Sequence, residues 1–301
     1  MSVINTGSFP KLLFPGIRRV WGMEYKRHSP IWPKIFEVLS SEQAYEEDVE
    51  TVGFGLMSVK GQGGGLNYDT AQQGYVSRYT HITYALGYVV TMEEVEDNLY
   101  EKVSLKRATK LARSVYETEE IVHANVLNRA FTSTYAGGDG KELCATDHPT
   151  VAGNQSNELS TAADLSETAI EDLVTQIRQS KDSRGIRFQN NPKALIIPSE
   201  LEWDAGRILG SDLQNDTANN AMNVMKANRT IPETVMSTYL SDPDAWFIKT
   251  DCSEGLTHYT RKAAVFDTDG DFDTKNLKAS AIARWSQGWS NWRGLYGSPG
   301  A

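Results

Sequence analysis

Residues 49–91 read VETVGFGLMSVKGQGGGLNYDTAQQGYVSRYTHITYALGYVVT, and the reading of this stretch decides the fold. Val49 to Lys60 alternates as a strand does, and Gly61-Gln62-Gly63-Gly64-Gly65 makes a flexible tip. From Tyr75 to Val90 the alternation resumes. Tyr75, Ser77, Tyr79, His81 and Thr83 share one face, and Val76, Arg78, Thr80, Ile82 and Tyr84 the other. Aromatic and β-branched residues suit a strand, yet neither face is cleanly apolar, so the hairpin is not simply laid on one core. The glycines do not form a phosphate loop, because Leu66-Asn67-Tyr68 follows where Gly-Lys-Ser/Thr is needed.

A long run without glycine or proline follows, from Tyr88 to Ala136. Thr91-Met92-Glu93-Glu94 has the form of a capping box. Val95, Leu99, Val103, Ala108, Leu111, Val115, Val122, Val126 and Phe131 keep close to helical spacing. A helix from Met92 to Phe131 is expected, with a break near Glu117–Glu120 where polar residues crowd. A projecting ribbon joined to such a helix leaves edges and faces that another molecule must cover.

Upstream, Phe9-Pro10, Phe14-Pro15-Gly16, Ser29-Pro30 and Trp32-Pro33 favour extended or turn backbone. With Trp21, Tyr25, Trp32 and Phe36 as anchors, residues 1–50 read either as an arm lying across another surface or as a layer on their own domain. Downstream, a helix is expected from Ser166 to Ser180, a buried strand at Ala194–Ile197, and a second capping box at Ser199-Glu200-Leu201-Glu202. Strands are expected at Thr234–Leu240, Ala245–Lys249, Thr257–Phe266 and Lys278–Trp285.

Bulk properties narrow the function. A net charge of −9 disfavours a general phosphate-neutralising surface, though an acidic wall is compatible with enclosing DNA. No apolar run approaches the ~20 residues needed to cross a bilayer. The N-terminus lacks the pattern of a secretory signal, and two cysteines, Cys144 and Cys252, are too few for a disulfide framework.

Candidate chemistry is sparse. Asp267-Thr268-Asp269-Gly270-Asp271-Phe272-Asp273 has acidic spacing, but Phe272 and Lys278 stand where a calcium loop needs glycine and glutamate. A tight turn is the better reading. Cys144, Asp147 and His148 complete neither a nucleophile–base set nor a zinc site. His28, His81, His123 and His258 are scattered. Trp285, Trp289, Trp292 and Tyr296, with Arg284 and Arg293, suit core or interface packing better than base stacking. No catalytic, cofactor or metal residue is assigned. A metal-dependent enzyme built on the acidic run remains the weaker alternative.

The order of arm, glycine-tipped hairpin and long helix resembles the HK97-type major capsid proteins of tailed bacteriophages. Leu127-Asn128-Arg129-Ala130-Phe131, Gly138-Asp139-Gly140, Asp147-His148-Pro149, Ser156-Asn157, Leu195-Ile196-Ile197-Pro198 and Asp242-Pro243-Asp244-Ala245-Trp246-Phe247 are most similar to the Mu-like major head subunit group. The resemblance implies an α+β HK97-type fold: an N-arm at 1–48, an extended β-hairpin (E-loop) at 49–91 and a peripheral domain with a spine helix at 92–160. An axial α/β domain at 161–265 and a return to the peripheral domain at 266–301 complete it.

It implies self-assembly through hexamers and pentamers into an icosahedral shell enclosing double-stranded DNA without sequence-specific binding. Portal and scaffold proteins are expected partners, with decoration proteins a further option. The location is the virion, after assembly in the host bacterial cytoplasm. The assembly interface would use Lys60, Gly61, Gly63, Gly64, Gly65 and Tyr68 of the E-loop tip and Arg18, Arg19 and Trp21 of the arm. Some relatives crosslink a lysine in this loop, and Lys60 is the one lysine near the tip. No helical scaffold extension precedes the arm, so a separate scaffold protein is expected. An encapsulin-like compartment of the same fold is the alternative.

Overall fold

The computed structural model describes residues 10–96, 100–213, 221–271, 273–274 and 276–301. The chain begins with helix α1 (Pro10–Arg27) and the short α2 (Trp32–Ile35), then strands β1 (Glu37–Ser40), β2 (Tyr45–Val52), β3 (Gln72–Thr80) and β4 (Ile82–Val90). Helices α3 (Met92–Glu96), α4 (Tyr100–Asn128) and α5 (Glu167–Arg178) follow, then β5 (Pro192–Ile197), α6 (Glu202–Gly210) and α7 (Val224–Ala227). Strands β6 (Glu233–Met236), β7 (Trp246–Thr250), β8 (Leu256–Gly270), β9 (Leu277–Trp289) and β10 (Leu295–Ser298) end it.

The strands form two four-stranded sheets, β1-β8-β9-β4 and β10-β7-β5-β6, and a separate ribbon of β2 with β3. In the first sheet, the long hairpin β8–β9 carries α4 on one face. Small residues let the helix approach: Ala279 and Ala281 of β9 are buried with Ala108, Leu111 and Ala112 of α4. In the second sheet, β5 and β7 are buried along nearly their whole length. Ile170, Leu173 and Ile177 of α5 cover them, as the helical spacing of those residues predicts. Ser166 caps α5 by accepting from Ala169 N at 3.2 Å. Trp246, Trp292 and Tyr296 lie fully inside, so the tryptophan-rich C-terminal stretch is core.

Several expectations are corrected. The arm is not extended: α1 packs on α4 and β8, with Ile17 and Trp21 in the same cluster as Ala108 and Phe266. Pro10 fits at the first helical position, where no N–H is needed. Pro15 forgoes one bond in a helix that the apolar face from Ile17 onward holds down. The expected strand Tyr75–Val90 breaks at His81, and its second half leaves the ribbon to pair with β9, Ile82 opposite Trp285. The first ribbon strand starts at Tyr45 and stops at Val52, short of Lys60.

Glu94 N donates to Thr91 Oγ1 at 3.3 Å, as a capping box requires, but its carboxylate goes to Arg107 at 2.8 Å. The helix beyond ends at Asn128 and shows no break at Glu117–Glu120; residues 97–99 of the expected single helix lie outside the described residues. Ser199-Glu200-Leu201 forms a 3-10 turn before α6, and Ser199 donates to Glu200 instead of capping. The expected border at 265/266 falls inside the continuous strand β8, and β10 returns to the second sheet, not the first. Of the acidic run, Asp267–Gly270 ends β8 and Asp271 and Asp273 lie in the turn to β9, while Phe272 lies outside the described residues. There Lys278 holds Asp271 at 2.6 Å, and with the Asp273 amide it keeps that carboxyl low, at about 2.

Candidate assembly surface

The ribbon stands on a polar seam. Residues Glu46, Asp48 and Glu50 alternate along one face of β2, and each finds a partner in the body. Ser41 donates to Glu46 at 2.5 Å. Ser290 donates to Asp48 at 2.5 Å, Tyr259 donates to it at 3.0 Å, and the Tyr79 hydroxyl lies 2.5 Å from Ser290. Ser183 donates to Glu50. Burial raises the hydroxyl pKa of Tyr79 and Tyr259, so both remain protonated donors at neutral pH. The register is fixed by Tyr45 opposite Thr80 and Val52 opposite Gln72, with an irregularity between Val49 and Thr51.

The loop after α4 forms the seat of the ribbon. A Cβ on Gly138 would stand 2.7 Å from Ser77 Oγ and 2.8 Å from Val76 O, so only glycine fits against β3 there. Next to it, Asp139 lies 2.6 Å from His148 Nδ1, while His148 Nε2 is 3.0 Å from Asn157 Oδ1 and the ring stacks on Trp292. The Asn157 amide donates to the carbonyls of Leu143, Trp292 and Leu295. Cys144, Asp147 and His148 therefore do not converge. Cys144 is buried with its thiol pKa pushed up by burial, and Asp147 turns to Lys141 at 2.5 Å.

Beyond the ribbon the chain runs from residue 53 to residue 71 without pairing. Met57 and Val59 are fully exposed, Leu56 and Leu66 largely so, and Tyr68 is 87% exposed. Lys60, Gly61, Gly63, Gly64 and Gly65 are exposed at the tip, where Gly64 N donates to Gly61 O at 3.0 Å and Gly63 takes φ +79°. Glycine accepts that conformation without strain. Arg18 and Arg19 are exposed on α1, but Trp21 is only 7% exposed, stacked on Tyr25 and Phe266. Trp21 belongs to the subunit's own core and offers little surface to a neighbour. The apolar residues beside the glycines belong to the same exposed tip. Their signal was the pattern Leu56-Met57-Ser58-Val59 in a segment with no strand partner.

A second cluster joins arm, helix and ribbon root. Glu120 Oε1 accepts from Ile31 N at 2.6 Å, and Tyr25 donates to Glu119 at 2.8 Å. One turn on, His123 Nε2 lies 2.8 Å from His258 Nδ1, and Trp32 stacks on His123 at 4.3 Å. His81 bridges Ser41 and Ser286, each at 2.9 Å. Burial lowers the pKa of His123 to about 4 and that of His258 to about 3, and burial raises those of Glu119 and Glu120. Of the histidines that look scattered in sequence, His123 and His258 meet in the fold. No group of three metal-ligating side chains occurs among the described residues, and no described helix is long and apolar enough to cross a membrane.

The family model for phage capsid protein matches residues 74–298. Among solved structures, the capsid of cyanophage P-SCSP1u superposes with a TM-score of 0.57 at 8% identity, covering 89% of this chain and 87% of that one. A structure from Mycobacterium phage Patience gives 0.54 at 10% identity, covering 98% and 88%. The virus-like particle from Pyrococcus furiosus gives 0.53 at 12% identity, covering 95% and 99%. No curated protein matches the sequence. Likeness at such low identity establishes the fold alone, which is the α+β HK97-type; the family match carries the identity. On that match, the chain belongs to the phage capsid protein family.

Proposed function

We propose that this chain assembles through hexamers and pentamers into the head of a tailed bacteriophage, around double-stranded DNA that it encloses without reading its sequence. The observation that carries the reading is the uncovered apolar tip. Leu56, Met57, Val59, Leu66 and Tyr68 extend on a two-stranded ribbon, with nothing of their own subunit over them. A lone ribbon is marginal in water, and a row of exposed apolar side chains is unfavourable until buried. A neighbouring copy is the cover that a shell supplies, and the glycines at 61–65 let one sequence bend differently at unequal positions.

The order of motifs supports a Mu-like subgroup. The acidic balance suits an inner wall that does not hold DNA tightly. Portal and scaffold proteins are the expected partners, and the host cytoplasm the expected place of assembly. In this reading the sheet carrying α4 is the peripheral body and the sheet around β5 and β7 the axial one, with the E-loop between Tyr45 and Thr80. An encapsulin-like compartment is not favoured by the family match.

The test is a pair of charges at the tip. The double variant Met57→Asp/Val59→Asp is expected to keep the far-ultraviolet spectrum and melting temperature of the free subunit, because both side chains are fully exposed. It is expected to lose shells in electron micrographs. Normal shells from this variant would remove the tip from the interface.

A further inference from the structure

One anchor of the ribbon lies outside both sheets. The segment from Lys181 to Arg187 folds back on itself through a bridge between those two residues. Asp182 Oδ1 accepts from Arg184 N at 2.9 Å and Ile186 N at 2.8 Å, and Gly185 takes φ +83°. From behind, Gln155 donates to Asp182 O at 2.8 Å and Ala152 N donates to Ser183 O at 3.1 Å. The backbone that carries Arg184 is therefore fixed, and its side chain is 19% exposed.

The guanidinium reaches the loop just past the end of the ribbon. Nη1 donates to Asp69 Oδ2 and Nη2 to Thr70 O, both at 2.5 Å. Asp69 in turn accepts from Gly55 N at 2.7 Å and Thr70 N at 2.8 Å. Both legs of the loop, the outgoing one at residue 55 and the returning one at 69–70, are thus tied to a single turn of the body. A Cβ on Gly55 would come within 3.2 Å of Asp69 Oδ2 and 3.3 Å of Arg184 Nη1, so glycine gives the closest fit at this point. The Gly55 and Thr70 amides and the Arg184 guanidinium keep the Asp69 carboxyl low, at about 2, so it is ionised at neutral pH.

We propose that Arg184 is a positioning residue for shell assembly: its bracket with Asp69, Thr70 and Gly55 sets the angle at which the E-loop leaves the subunit before any neighbour is met. The proposal rests on the capsid reading. A loop held at both legs loses less freedom when it docks; the bracket fixes the angle at its root, and the glycines at 61–65 leave the tip free to adjust to each neighbour. A planar guanidinium with two parallel donors fixes direction in a way that an ammonium does not.

The test uses the full-length chain under conditions in which the wild type forms shells. Arg184→Ala, Arg184→Lys, Asp69→Asn and the exchange Asp69→Arg/Arg184→Asp are compared. Three readouts are taken: melting temperature of the free subunit, half-time of assembly by light scattering, and the distribution of shell diameters in micrographs. Arg184→Ala and Asp69→Asn are expected to move the melting temperature by no more than about 2 °C, because the pair lies at the surface and holds a loop outside both cores. They are expected to slow assembly roughly tenfold and to broaden the diameters, with Arg184→Lys intermediate and the exchange partly restored. Wild-type rates and uniform shells from both single variants overturn the proposal. So does a melting temperature lowered by ten degrees or more in both, which assigns the bracket to folding. If the wild type itself yields no shells or rings, the capsid reading fails and the proposal falls with it.

Discussion

His123 and His258 sit 2.8 Å apart under Trp32, and their protonation is costly in the folded chain. Burial lowers both pKa values, to about 4 and about 3, from an ordinary value near 6.5. Between pH ~6.5 and ~4 the unfolded chain binds protons at these sites and the folded chain does not. Stability therefore falls on acidification through that window, at up to about 1.4 kcal/mol per pH unit for each histidine. Glu119 and Glu120 act in the opposite sense. Their raised pKa values mean that the folded chain takes up their protons first, which offsets part of the loss. The prediction is that His258→Gln narrows the difference in melting temperature between pH 7 and pH 5. An unchanged difference would remove the pair as its source. Nothing in the sequence joins these two residues, which lie 135 positions apart and meet only because β8 passes beside α4.

At the scale of elements, the spine helix is a strip of carboxylates that receives the arm and the body. Glu117 accepts from Tyr239 at 2.7 Å, Glu119 from Tyr25 and Glu120 from Ile31 N. Polar crowding at 117–120 looked like a break, since such residues usually face water. Here each of the three glutamates accepts a hydrogen bond from another part of the chain, Thr118 donates back to Ser114 O, and the helix continues. Replacing Glu120 by Ala leaves the half-buried Ile31 amide without its acceptor and is expected to cost about 1–3 kcal/mol in chemical denaturation, with Glu120→Gln losing less. Equal losses for both variants would contradict the hydrogen-bond account.

The ribbon was legible in the sequence only in part. Its glycines, aromatic alternation and lack of an apolar face were readable. Its start at Tyr45 was not, because Glu46, Asp48 and Glu50 read as surface until Ser41, Ser290 and Ser183 are brought to them. Arg184 and Asp69, 115 positions apart, carry no local signal of their pairing. In α1 the prolines masked a helix whose stability comes from contact with α4.

For the whole molecule, the chain is a body of two sheets with a ribbon held at its root and bare at its tip. The root is over-determined by Asp48, Glu50, Gly138 and the Arg184 bracket, whereas the tip residues 56–68 are exposed throughout. That division suits a subunit that is finished by its neighbours. The direct test is multi-angle light scattering on the purified full-length chain after size exclusion, alone and with a scaffold protein supplied, with electron microscopy of each peak. The account predicts megadalton shells, or rings of five and six that close into shells when the scaffold is added. A sharp monomer or dimer at every concentration, with no rings in either condition, would contradict it.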